Sequence, residues 1–195
     1  MDVFDFTVVV IVLFMTSFYV KEQFVEVEYI RSNIDNREYL VQSAKKNQQV
    51  ADMLATINQK LTKLVNILNT NPKYKNDPKS IRLKKKYKPG IISESSENDK
   101  YTSYSVDKKK IIFCLRARDK SGNLTDINTL TYVAIHELAH LATVEVGHTE
   151  KFWGNFKWLL QIAEKNGIYN YVDYSSNPQP YCGIVISSNI LDRND

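Results

Sequence analysis

Apolar positions along the chain fall into blocks of different period. Residues Phe6 to Val20, FTVVVIVLFMTSFYV, carry no charge, and counted from Val3 the run is about 18 residues, enough as a helix for a hydrocarbon core of roughly 30 Å. Asp2 and Asp5 stand where a cleaved signal peptide has its basic flank, so the pattern predicts an uncleaved transmembrane helix over residues 1–21. Lys21, Arg31 and Arg37 follow it. By the positive-inside rule this predicts a single-pass membrane protein with its C-terminal domain in the cytoplasm. The charged stretch KEQFVEVEYIRSNIDNREYL then reads as a stalk or linker over residues 22–45, leaving residues 46–195 as one compact domain.

Within that domain Val50, Leu54, Ile57, Leu61, Leu64 and Leu68 recur at alternating steps of four and three, the stripe of a long amphipathic helix that Asn71 and Pro72 end. The stripe is short for a coiled-coil seam and predicts a helix laid on the core. The period then shortens. IRLKKKY, YTSYSV and KKIIFCLRAR predict strands of a small antiparallel or mixed sheet, with KPGIISESSENDK as an exposed loop between the first two. A helical period returns in TDINTLTYVAIHELAHLATVEVG. It is capped at Thr125 or Asp126, apolar at Leu130, Val133, Ala134, Leu138, Leu141 and Ala142, and expected to end at Gly147. A second helix from Glu150 to Lys165 turns Phe152, Phe156, Leu159, Leu160 and Ile162 inward, and the tail closes on a strand over Ile184 to Ile186. The fold class is α+β.

Composition changes this picture little. Hydrophobic residues make up 43% of the 195, with twelve tyrosines, which is core material and excludes a disordered chain. A net charge of +4 names no partner. Lys84 to Lys86 and Lys108 to Lys110 fit charged strand ends that block edge pairing, with phosphate contact and a nucleic-acid partner as the weaker alternative. Cys114 and Cys182 are too few and too far apart for a disulfide framework or a metal knuckle, and read as reduced, partly buried thiols.

The chemistry concentrates in HELAHLATVEVGH, which holds all three histidines of the chain. Residues four apart lie one above the other on a helix, so His136 and His140 can point both imidazoles at one ion. Zinc accepts such nitrogens at about 2.0–2.1 Å and needs a third protein ligand, for which His148 is the candidate. On a straight helix His148 would be roughly 80° out of line with His140, and Gly147 in a left-handed conformation corrects its aim. Glu137, beside the first histidine, is placed to take a proton from a water that the metal polarises and to pass it to a leaving amine. Glu164 on the following helix is the alternative third ligand.

HELAH, a short insert and then GHTEKFW resemble the SprT-like and WLM zinc metallopeptidases, and the order KKIIFCLRAR then HELAH is similar to that family's layout. A broader likeness, from about Ala51 through YTSYSVDKKKIIFCLR to YCGIVIS, is to WLM-like proteins of large DNA viruses. The resemblance implies Zn2+ on His136, His140 and His148, Glu137 as general base, and Phe152 packing the site's helix against the core. It implies a zinc endopeptidase acting on protein or peptide substrates, here anchored in a membrane by the N-terminal helix. The rivals are a zinc-stabilised binding protein at a membrane and a DNA-associated protease. An extended peptide would pair with a free edge of the strand Lys110 to Arg116, touching Ile111 and Phe113. Tyr174 or Tyr181 from the tail would stabilise the oxyanion.

Overall fold

The computed structural model describes residues 7–16, 27–97, 99–119 and 121–193. Residues 7–16 are helical (α1). Among the described residues no helix is long and apolar enough to cross a membrane. This corrects the transmembrane helix expected over residues 1–21 and the single-pass, cytoplasm-facing placement drawn from it; residues 1–6 and 17–21 of that segment lie outside the described ones.

The expected stalk is folded. β1 (Val27–Arg31) and β2 (Glu38–Gln42) pair antiparallel, with Ile30 opposite Tyr39. Period-two alternation in EYLVQ turns Tyr39 and Val41 inward, where both are buried against helix α2 (Asn47–Thr70). The folded unit therefore includes β1 and β2, ahead of residue 46, while residues 22–26 lie outside the described ones. On α2 the whole stripe from Val50 to Leu68 is removed from solvent, so this is the core-packing helix that its spacing predicts.

Helix α3 (Pro78–Lys86) replaces the strand expected at IRLKKKY. Asp77 caps it, its carboxylate accepting from the Lys79 N–H at 2.8 Å, and Pro78 supplies a helical φ at the first position. Lys84, Lys85 and Lys86 thus occupy the last turn of a helix, where cations complement the dipole, and not the start of a strand.

A three-stranded sheet follows, made of β3 (Ile92–Glu94), β4 (Ser103–Val106) and β5 (Lys110–Phe113) in the order β3-β5-β4. β3 arises inside the stretch expected as a loop and pairs parallel with β5, while β4 pairs antiparallel with it. The most apolar strand takes the centre, and β4 is left with one side unpaired among the described strands. Helices α4 (Ile127–Ala142) and α5 (Glu150–Lys165) pack on each other, and α4 also packs on α2, α3 and β4. The predicted inward residues of α5 are all buried. β6 (Gln179–Tyr181) and β7 (Ile184–Ile186) close the chain as a hairpin, before a single 3-10 turn at Ile190–Asp192.

Cys114 and Cys182 form a disulfide across 68 residues, correcting their reading as reduced thiols. The turn of the last hairpin returns over the end of β5, a proximity that sequence spacing conceals. Cross-linking a loop of that length stabilises by about 4 kcal/mol through the unfolded chain. The double variant Cys114→Ser/Cys182→Ser should therefore unfold at a clearly lower urea concentration; an unchanged midpoint would count against the bond.

A buried ion pair ties the first hairpin to the sheet. Glu94, with no exposed side-chain surface, accepts from Arg116 Nε at 2.7 Å and from the Gln42 N–H at 2.7 Å. Arg116 also donates to the Lys45 carbonyl. Burial pushes the Glu94 carboxyl above its ordinary value, against the opposing pull of Arg116 and Gln42. Arg116→Met leaves that carboxylate with the Gln42 N–H but without its counter-charge and should cost about 3–5 kcal/mol at neutral pH. A carboxyl raised above its unfolded pKa lets the native state bind more protons, so its contribution weakens as pH rises. The variant's deficit should accordingly shrink in acid, and a deficit independent of pH in urea titrations would rule this account out.

Candidate metal centre

α4 starts at Asp126, whose carboxylate accepts from the N–H groups of Asn128 and Thr129 at 2.9 Å each, and this cap fixes which face meets the core. Leu130, Val133, Ala134, Leu138, Leu141 and Ala142 are buried, which turns His136 and His140 towards the side where β4 runs. α4 stops at Ala142, five residues before the expected Gly147. Thr143 takes an extended conformation, its hydroxyl donating to the Ala139 carbonyl at 2.7 Å and accepting from Asn155 Nδ2 at 2.9 Å. The chain then loops out, and Gly147, at φ +85°, uses the left-handed conformation that returns His148 to the helix.

The three imidazoles converge. The Nε2 atoms of His136 and His148 are 3.0 Å apart, and one ligand atom from each histidine lies within 4.8 Å of the others, so the group can hold a metal ion. Two nitrogens bound tetrahedrally to one zinc at its usual bond length stand about 3.4 Å apart, close to this spacing. Phe152 is the floor of the cluster: its ring centroid is 4.8 Å from His136, 4.2 Å from His140 in a stacked arrangement and 4.7 Å from His148. Trp153 stacks on the outer face of His148 at 5.4 Å. Burial, then the charges of His140 and His148, hold His136 down to about 3; burial, then His148 and Lys108, hold His140 down to about 4. Both rings are therefore neutral at pH 7, the form that ligates metal.

Glu137 points to the same place. It is 3% exposed yet lines the cleft, and its Oε2 has no hydrogen-bond partner among the described residues. Burial raises its carboxyl to about 8. The cleft, about 390 Å3, is walled on one side by the histidines and on the other by Ser103, Tyr104 and Ser105 of β4. A second cavity of about 550 Å3, bordered by Trp153 and Tyr132, contains none of the histidines.

This chain is 38% identical over 171 residues to the uncharacterized protein R325 of Acanthamoeba polyphaga mimivirus, a match covering 85% of each. It belongs to the R325 family. Shorter matches are to the uncharacterized protein 136R of Invertebrate iridescent virus 6, 39% identical over 82 residues (41% of this chain, 46% of that protein), and to the uncharacterized protein 042R of Invertebrate iridescent virus 3, 40% identical over 68 residues (35% and 42%). No family model and no solved structure matches the chain. That the three histidines of this R325-family member can hold a metal ion accordingly rests on their own geometry.

His136, Glu137, His140 and His148 are brought together as the motif predicts, with Phe152 between them and the core. Other expectations are corrected. Ile111 and Phe113 are fully buried on the central strand β5, which has no free edge, so neither can touch a substrate. Tyr174 is buried with its ring against Tyr132 and does not line the cleft. Tyr181 is also buried, behind the β4 wall, where its hydroxyl shares a short hydrogen bond with Ser103 Oγ. Burial, and to a smaller degree the nearby Glu137, raise its pKa against that bond. Glu164 is exposed near the far end of α5, about 18 Å along the helix from Phe152, and takes no part in the cluster. Trp153 and the β4 residues are the members that sequence reading missed; the Phe-Trp pair in GHTEKFW carried the signal for the first.

Proposed function

We propose that this R325-family chain is a zinc-dependent endopeptidase of the SprT-like and WLM kind. The observation that carries the reading is Glu137: a buried carboxyl oxygen without a partner among the described residues, in one cleft with three converging imidazoles. Such an oxygen is costly to leave bare, and it fits an acceptor for a proton from a water in the cleft. A zinc ion on His136, His140 and His148 would supply Lewis-acid polarisation of the scissile carbonyl and acidify that water. Glu137 then accepts the water's proton and delivers it to the leaving amine, a transfer its low exposure protects from exchange with solvent. The substrate wall is β4. Its unpaired edge offers backbone N–H and C=O groups to an extended peptide, the role first assigned to β5.

The test is cleavage of an unstructured protein by the full chain. Fragments should appear with zinc, vanish with a chelator and return when zinc is restored. Intact substrate at one zinc ion per chain, across several unstructured sequences, would overturn the peptidase reading.

A further inference from the structure

The lysines in DKKK read from sequence as strand-end charges, but one of them is committed elsewhere. Lys108 sits in the turn between β4 and β5, where it and Asp107 both adopt positive φ, 54° and 50°, a conformation that non-glycine residues rarely take. From this three-residue turn, Asp107 to Lys109, its Nζ donates to three consecutive carbonyls, those of Thr143 at 2.6 Å, Val144 at 2.9 Å and Glu145 at 2.9 Å. These are the first carbonyls beyond the end of α4, and they belong to the loop that carries His148 back to the cluster. An ammonium has three donors and no acceptor. All three are used, so Lys108 has no proton left for a substrate although it borders the cleft.

We infer that Lys108 is the positioning residue for the third metal ligand: the β4–β5 turn grips the Thr143–Glu145 backbone through one ammonium and so holds His148 opposite His136. The inference rests on the metal-centre reading above. Other side-chain ties to this loop are the hydrogen bonds of Thr143, at its root, and an exposed Glu145–Lys151 pair at 2.6 Å. Exposed pairs constrain little. The grip also links the ligand loop to β4, the opposite wall of the cleft, so the two walls move as one piece.

The experiment is zinc affinity of the full chain, measured by competition with a chromophoric chelator. Lys108→Met should weaken binding by about tenfold to a hundredfold, the range for partners that orient a ligand without touching the metal, and Lys108→Arg should recover part of it. A merely structural role is separated by a cycle: in a His148→Ala background, Lys108→Met should cost nothing more, because the ligand it positions is gone. Wild-type affinity in Lys108→Met, or a full additional loss in the double variant, overturns the inference and leaves the metal centre standing. Absence of zinc binding by the wild type overturns the metal centre itself. If Lys108→Met does not fold, Lys108→Gln, which keeps two donors, is read by the same cycle.

Discussion

Glu137→Gln is expected to lower peptide hydrolysis by about 10²–10⁴-fold while zinc content stays unchanged. The amide matches the carboxylate in size and fills the same buried position, so the cleft keeps its shape. What it lacks is a basic oxygen for the water's proton. The substitution also removes a carboxyl that burial raises to about 8 and that bears its charge in the interior only as pH rises through that value. Its unfolding midpoint in urea should therefore exceed that of the wild type most clearly above pH 8, where the wild-type carboxyl must hold its charge in the interior, and by less in acid. Activity surviving in Glu137→Gln would remove the general base from the account, and a large loss of zinc would recast Glu137 as a ligand.

Removing His136 or His140 should have the largest effect on the metal. Each supplies a nitrogen from the rigid face of α4, and truncation to Ala should weaken binding beyond the roughly 10–100-fold that loss of an outer partner costs. Stability carries the same signal. A ligand held only by the native state stabilises it, by about 2.7 kcal/mol at a hundred times its dissociation constant. Added zinc should raise the urea midpoint of the wild type and leave that of His140→Ala where it was. An equal rise in both would place the ion elsewhere.

The legible parts of this molecule were those with a sustained period or a fixed spacing. The stripe from Val50 to Leu68, the inward face of α5 and the HELAH pair each depend on a single helix, whose geometry the sequence determines locally. Gly147 was readable in part: it takes the left-handed conformation expected of it, but α4 ends at Ala142, where Thr143 turns extended, and a loop separates the two. Elements that depend on neighbours were not. IRLKKKY alternates for a few residues as a strand does, while the deciding signal, Asp77 and Pro78, lies before it. The apolar strand KIIF looked the best candidate for a substrate edge, yet its hydrophobicity is what places it between β3 and β4, and the peptide edge falls to the more polar SYSV. The Cys114–Cys182 bond and the reach of Lys108 to the Thr143 loop join segments whose proximity only the assembled fold creates. The N-terminal apolar run met the length rule for a membrane helix, whereas among the described residues no helix is long and apolar enough to cross a membrane.

The central claim is that HELAH and His148 build one zinc centre, and metal content by mass spectrometry tests it most directly. The purified full chain should carry about one zinc ion, as a three-ligand site with a fourth position for water does, and the double variant His136→Ala/His140→Ala should carry none. A wild type without metal, or a double variant that keeps its zinc, would contradict it.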